Sequence, residues 1–363
     1  MQKKAIILKK QIYINSFMKN KIITYSQAIN KALVETIKKN RKVIIIGLGV
    51  DDPKGIFGTT LGIKEKYPNN VFDMPTAENG FTGFALGLAI SGYRPVIVHQ
   101  RVEFSLLSIE QIFNQIAKWH YMSAGKTKVP LVIRLIIGKG WGQGPQHSQS
   151  LETIFAHIPG LKVVCPSNAE DAKNLMIASI KDNNPVIFFE HRWCHDTKGK
   201  LKKNYKEQKI GKANIAIKGK RISLISFSYS TLECIRAAKI LKKYNISCEV
   251  LDLRSLRPLD VSSIVKTAKK TKKVLIVDNG MKSFGISSEI SCLITENLKN
   301  ITVERIGVLE TPIPSTVSLA KYCYPEHDLI IMKVCKMLNI KKKISYKRKK
   351  NPDQPDSSFK GPF

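Results

Sequence analysis

Apolar residues recur along this chain in two alternating rhythms. Short β-branched runs at residues 43–46, 71–74, 96–98, 131–135, 162–164 and 186–189 read as buried strands. Between them, apolar positions return at helical spacing, as at Ile109, Ile112, Phe113 and Ile116. Strands alternating with helices predict a parallel sheet covered on both faces. The rhythm stops between about residues 191 and 221, where Lys, Asn and Gly dominate. It resumes with runs at 222–226, 248–252, 274–277 and 301–306, and with a helix carrying Cys234, Ala237, Ala238 and Leu241 on one face. The expected fold is therefore α/β in two domains, each a mostly parallel sheet covered by helices. The expected boundaries are a basic extension over 1–21, a first domain over 22–195, a linker over 196–220, a second domain over 221–340, and a basic tail with a terminal peptide over 341–363.

The most unusual stretch within this pattern is FDMPTAENGFTGFALGLAISG, residues 72–92. Pro75 ends a strand, and residues 76–79 offer helix-start side chains before an apolar run. Gly80, Gly83 and Gly87 each cost that helix roughly 1 kcal/mol relative to Ala, so a close approach to its backbone is expected. Glu78 falls at the helix mouth, either as a ligand-facing carboxylate or as a charge that complements the helix dipole. The turn Gly47-Leu48-Gly49 has two glycines of a dinucleotide fingerprint, but the third position is Asp52, which argues against NAD.

Composition narrows the classes. With 363 residues, 43% of them hydrophobic, the chain can fill two cores. Its apolar runs are too short to cross a bilayer, and no membrane partner is expected. Seven cysteines are scattered without a C-x-x-C pair, which suggests neither zinc nor disulfides and fits a reducing cytoplasm. The net charge of +32 would suit a nucleic-acid scaffold, yet the lysines are spread along the whole chain, and no specific nucleic-acid role is expected. The extension over 1–21 reads as disordered, or as a start read too early, with Met18 as the alternative.

Candidate chemistry gathers on loops expected at the carboxyl ends of strands, where open α/β sheets bind ligands. These loops carry Glu78, residues 99–104, and the glycine-studded stretch 138–149 with Gln146, His147 and Gln149. By itself His147 is either a turn histidine or a functional imidazole.

Several long motifs, in order, resemble one family: PTAENGFTGFALGLAISGYRPV, IEQIFNQIAKWHYMSAG, GPQHSQS, HIPGLKVVCPSNAEDAKNLM, IKDNNPVIFFE and EVLDLRSLRPLD. Over about residues 23–339 the chain resembles the β subunit of the thiamine diphosphate-dependent decarboxylating component of 2-oxo acid dehydrogenases (pyruvate, branched-chain and acetoin types). That family is built like the pyrimidine-binding and C-terminal domains of transketolase.

The resemblance implies that Glu78 hydrogen-bonds the cofactor's aminopyrimidine N1′, that Phe104 stacks on that ring, that Thr76 lies against the cofactor, and that His147 handles protons or orients the acyl acceptor. It also implies a potassium site on the carbonyls of Leu131, Ser179, Ile180, Asp182 and Asn184. Mg²⁺ with the cofactor's diphosphate is held in this superfamily by a Gly-Asp-Gly…Asn motif, and no Gly-Asp pair occurs in the chain. An α subunit carrying that motif is therefore implied, in an α2β2 assembly with a β–β contact, as is a lipoyl acyltransferase as acyl acceptor. The implied activity is decarboxylation of a pyruvate-like 2-oxo acid with transfer of the acyl group to a lipoyl carrier. The rival within this class is a split transketolase that moves a two-carbon ketol unit.

Two departures stand out. Where the family carries Gly-Glu-Glu-Val, this chain has Gly47-Leu48-Gly49-Val50, and an apolar run is replaced by His99-Gln100-Arg101-Val102-Glu103. Arg101 faces either the cleft, where it would favour a larger or more anionic substrate, or a subunit interface.

Overall fold

The computed structural model describes residues 22–138, 143–201 and 208–346. The extension over 1–21, the end of the tail over 347–363 and the middle of the linker lie outside the described residues.

In chain order the strands are β1 (Ile22–Thr24), β2 (Val43–Gly47), β3 (Val71–Asp73), β4 (Arg94–His99), β5 (Val132–Ile137), β6 (Lys162–Val164), β7 (Val186–His191), β8 (Lys198–Lys200), β9 (Asn214–Ile217), β10 (Ile222–Ser226), β11 (Cys248–Asp252), β12 (Ser255–Arg257), β13 (Lys273–Met281) and β14 (Thr302–Val308). The longer helices are α1 (Tyr25–Lys39), α2 (Glu78–Ile90), α3 (Ala169–Lys181), α4 (Ser228–Lys242), α5 (Val261–Thr271), α6 (Ile286–Asn297) and α7 (His327–Met337).

The first sheet has the order β12-β6-β7-β5-β4-β2-β3 and is parallel apart from β12. Its central strands β2, β4, β5 and β7 are buried on both faces, as a continuous apolar run requires, whereas the edge strand β3 is half exposed. Val43 and Ile45 point into a core shared with α1 and α3, whereas Ile44 and Ile46 point into the opposite core beneath α2. Helix α1 opens with a capping box: Gln27 N–H donates to Thr24 Oγ1 (3.2 Å) and Thr24 N–H to Gln27 Oε1 (2.9 Å).

The second sheet, β14-β13-β10-β11-β9, is parallel except for β9. One of its faces packs on α4 and α7. The other joins the core of the first domain, where Ile225, Leu251 and Ile276 pack in the same cluster as Ile133 and Phe189.

Around the expected linker, β8 pairs with β1, and β9 closes the edge of the second sheet against β11. The chain of the second domain also gives β12 to the first sheet, antiparallel to β6, so the domains share a strand as well as a core. Residues 109–116 do not form a regular α-helix. A 3-10 turn over Val102–Ser108 runs on to a wide π-helical turn over Gln111–Ile116, in which only Ile112 and Ile116 are fully buried. The close approach expected along α2 occurs at Gly83, where a Cβ would lie 3.2 Å from Gln111 Oε1. Within this chain Gly87 has nothing within 4 Å, and a Cβ at Gly80 would meet only Ala77, at 3.9 Å.

Candidate active site

The carboxyl ends of β2, β4, β5 and β7 lie side by side, and the segments that leave them carry the candidate chemistry. Glu78 is the first residue of α2 and is only 7% exposed. The helix start lacks a side-chain cap; its N-cap is Ala77, and Thr76 is exposed two residues before Glu78. Among the described residues no hydrogen bond reaches the Glu78 carboxylate, so it is open to an external donor such as a ring nitrogen. Helix α2 packs against the turn that follows β4: Phe81 lies 5.2 Å from the His99 ring, and Thr82 Oγ1 donates to Ser108 Oγ (3.1 Å).

That turn meets the 143–149 loop directly. Phe104 and His147 are brought together, ring centroids 5.4 Å apart and tilted by 53°. Arg101 Nη2 donates to Gln143 Oε1 (2.5 Å), and Gln149 N–H donates to Glu103 Oε1 (3.0 Å). The loop base is closed by Gly138 N–H, which donates to the Gln149 carbonyl (3.0 Å). A side chain at Gly138 is excluded, since a Cβ would fall 2.1 Å from His191 Nε2 at a φ of +83°. Freed by that glycine, the His191 ring crosses the end of β5 and stacks on Tyr229 of the second domain, at 4.8 Å and 20°.

Several buried polar atoms here lack partners among the described residues: both His99 ring nitrogens, Arg101 Nη1, Glu103 Oε2 and His147 Nδ1. A native fold leaves few such atoms, and a cluster of them marks a place where a ligand or partner chain supplies the bonds. Burial pushes the His99 imidazole down to about 3, so its ring is neutral. It lowers the Arg101 guanidinium to about 10 and raises the Glu103 carboxyl, the latter countered by hydrogen bonding and by Arg101.

The two departures from the family pattern meet at Gln100. Gly49 and Val50 N–H donate to Asp73 Oδ1 (2.5 and 3.3 Å), and Gln100 Nε2 donates to the Leu48 carbonyl (3.0 Å). Residue 100 thus ties down the turn from which the family's carboxylate is missing. Sequence reasoning missed Asp73, Gln100 and the contacts of Arg101 and Glu103. The signal available was a run of charged and amide residues directly before an aromatic.

The candidate potassium residues gather at the opposite, amino end of the sheet. There Arg94 Nη1 donates to the carbonyls of Ile180 and Asp182 (2.8 and 2.9 Å), and Val186 N–H donates to that of Leu131 (2.9 Å). The Arg94 guanidinium thus already sits on two of the carbonyls that the resemblance assigns to potassium. Among the described residues no cluster of His, Cys, Asp and Glu forms a metal site, and none of their helices is long and apolar enough to cross a membrane.

Beside the histidine loop runs a groove of about 730 Å³ between the domains, lined by Gln146, Ser148, Gln149, Asn279, Gly280 and Glu310 among others. Behind it the domains are welded. Ser167 Oγ donates to Asp252 Oδ2 (2.6 Å), and Arg254 grips Asp171 at 2.7 and 2.9 Å. Burial raises Asp252 to about 7, with Asp171 adding to it, and raises Glu152 to about 8, with Asp278 adding to that.

Fold and site together define a two-domain, transketolase-type subunit. The transketolase pyrimidine-binding domain family matches residues 21–194, and the transketolase C-terminal domain family matches residues 211–330. Within that class the chain belongs to the family of E1 component β subunits of thiamine diphosphate-dependent 2-oxo acid dehydrogenases. It is 35% identical over 320 residues to the pyruvate dehydrogenase E1 β subunit of Rickettsia bellii, covering 86% of this chain and 98% of that one. It is likewise 35% identical to the mitochondrial pyruvate dehydrogenase E1 β subunit of Mus musculus, over 88% of this chain and 91% of that one. To the β subunit of the acetoin:2,6-dichlorophenolindophenol oxidoreductase of Cupriavidus necator it is 34% identical, over 82% and 92%. In fold it superposes on a split-gene transketolase solved as an inactive β4 tetramer, with a TM-score of 0.74, 21% identity, and coverage of 88% of this chain and 99% of that one.

Proposed function

We propose that this chain is the pyrimidine-holding half of a heteromeric enzyme that decarboxylates a pyruvate-like 2-oxo acid and passes the acyl group to a lipoyl carrier. The other half is an α subunit, in an α2β2 assembly, that holds the diphosphate and its Mg²⁺. When bound, thiamine diphosphate supplies the nucleophilic carbon and the electron sink that decarboxylation needs. The observation that carries the reading is the contact of Phe104 with His147 on segments leaving the sheet's carboxyl edge, where α2 begins with the buried Glu78, unbonded among the described residues, in a chain without any Gly-Asp pair for the diphosphate.

In this reading each residue has a limited task. Glu78 accepts or shares a proton at the aminopyrimidine N1′, and its desolvated setting strengthens that bond. Phe104 supplies an apolar face for the ring. His147, with Nδ1 unpaired among the described residues, offers a proton donor or acceptor at the reacting carbon. Neutral His99, against Phe81, keeps water from the helix mouth. Magnesium needs hard oxygen ligands, and these come from the α subunit. The seven free cysteines suit a reducing compartment such as the cytoplasm.

The second reading, a split transketolase that transfers a ketol unit, draws on the charged run at residues 99–103, where the family is apolar. Co-expression with an α subunit and assay of 2-oxo-acid-dependent dye reduction separates the two. Reduction with pyruvate and no acceptor sugar supports the dehydrogenase reading, and turnover only with a sugar acceptor overturns it.

A further inference from the structure

Residues 101–104 touch the histidine loop three times in four positions. Arg101 holds Gln143 at one end, Phe104 lies against His147 in the middle, and Glu103 takes the Gln149 N–H at the other end. We propose that Arg101 and Glu103 are positioning residues, a two-ended clasp that fixes the 143–149 loop and so orients the His147 imidazole over the cofactor ring. The proposal rests on the reading of His147 given above and extends it to side chains that nothing in the family pattern assigns.

The hydrogen-bond geometry argues for a clasp rather than a direct ion pair. A guanidinium and a carboxylate two residues apart, Arg101 only 5% exposed, would ordinarily neutralise each other, because a lone buried charge is costly. Among the described residues no direct ion-pair contact joins them; they steady each other's charge from a distance, and each makes its hydrogen bond to a different end of the loop. A charge-assisted hydrogen bond is stronger than a neutral one, so both ends are pinned by the stronger kind. A reactive side chain on a loop needs such support, since placement to within about 0.5 Å separates a working site from a loose one.

The test uses the complex co-expressed with its α subunit. Because Arg101 is deeply buried, its half of the clasp is probed from the partner, with Gln143→Ala. Glu103→Ala removes the other half, and Glu103→Gln keeps an acceptor oxygen. The clasp predicts that Gln143→Ala and Glu103→Ala each lower kcat on pyruvate by roughly 10- to 100-fold, the scale of a small misplacement of a reacting group, with KM within about threefold. Glu103→Gln should recover most of that loss. Amide hydrogen exchange at Gln149 should quicken at least about tenfold in Glu103→Ala and stay slow in Glu103→Gln. Unchanged kcat in both alanine variants, or unchanged exchange at Gln149 in Glu103→Ala, overturns the proposal. So does a KM that rises while kcat holds, which would make the 101–103 segment a reader of substrate. If the wild-type complex turns over no 2-oxo acid, the functional reading fails by itself, and the exchange measurement still decides whether the clasp exists.

Discussion

At the carboxyl edge of the first sheet, His99, Arg101, Glu103 and His147 each bury a polar atom that finds no partner among the described residues. At the carboxyl edge of the second sheet, Asp252 accepts from Ser167 Oγ and Arg254 N–H, and Asp278 accepts from Gly280 N–H and Ser287 N–H. Both sheets are parallel α/β sheets whose carboxyl edges are natural ligand sites. The first leaves its open atoms on the segments that carry Phe104 and His147, while the second bonds Asp252 to Ser167 of the first domain and holds Asp278 within its own loop; Ser228 Oγ, Asn279 Nδ2 and Ser287 Oγ there also lack partners among the described residues. A shared strand, a shared core and the Arg254–Asp171 pair complete the grip between the domains. The difference teaches that neither strand ends nor unmade hydrogen bonds alone locate chemistry; at the first edge they coincide with an aromatic ring set against an imidazole, and at the second they do not.

If that contrast is right, substitutions at the first edge damage turnover and substitutions at the second damage stability. The largest effect is expected from Glu78→Gln in the assembled complex, which should lower kcat by roughly 10³-fold while size-exclusion chromatography shows intact assembly. Near-wild-type turnover would remove Glu78 from its role. Next is Arg254→Ala, which removes the guanidinium from the buried Asp171 carboxylate and should cost about 3 kcal/mol in denaturant unfolding with little change in cofactor affinity.

Two buried groups of the first domain, Glu152 at the contact with the second domain and His99 at the candidate site, should also answer pH in opposite directions. Glu152 keeps its proton to about pH 8 when folded, against an ordinary value of 4.5. The unfolded state therefore binds fewer protons over that window, and stability falls as pH rises from about 4.5 to about 8. His99 stays neutral to about pH 3, against an ordinary 6.5. Its unfolded state binds more protons there, and stability falls as pH drops from about 6.5 to about 3. Glu152→Gln should flatten the alkaline limb and His99→Phe the acid limb, each by up to roughly 1.4 kcal/mol per pH unit, as read from unfolding curves across that range. The smallest effect is Phe104→Ala, expected to weaken thiamine diphosphate retention about tenfold through lost stacking.

Much of this was legible in the chain because its central strands are continuous apolar, β-branched-rich runs buried on both faces, such as residues 43–46. The strand β12 was not legible: Ser255-Leu256-Arg257 is too short to carry a pattern, and its partner β6 lies some ninety residues earlier. The winding at residues 102–116 escaped because the spacing of Ile109, Ile112, Phe113 and Ile116 is met by any helix-like turn. Glu78, Phe104 and His147 were reached through motif resemblance, which orders residues along a chain. The clasp of Arg101 and Glu103, and the tie from Gln100 to the Leu48 carbonyl, are departures from the motif and needed coordinates to be seen.

The central claim is that this chain grips one end of the cofactor and an α subunit grips the other. Titration calorimetry of thiamine diphosphate with Mg²⁺ tests it directly, on this chain alone, on the assembled pair, and on the pair carrying Glu78→Ala. Tight binding only in the assembled pair, weakened by Glu78→Ala, is the predicted result. Tight binding to the isolated chain, or binding by the pair that ignores Glu78→Ala, would contradict it.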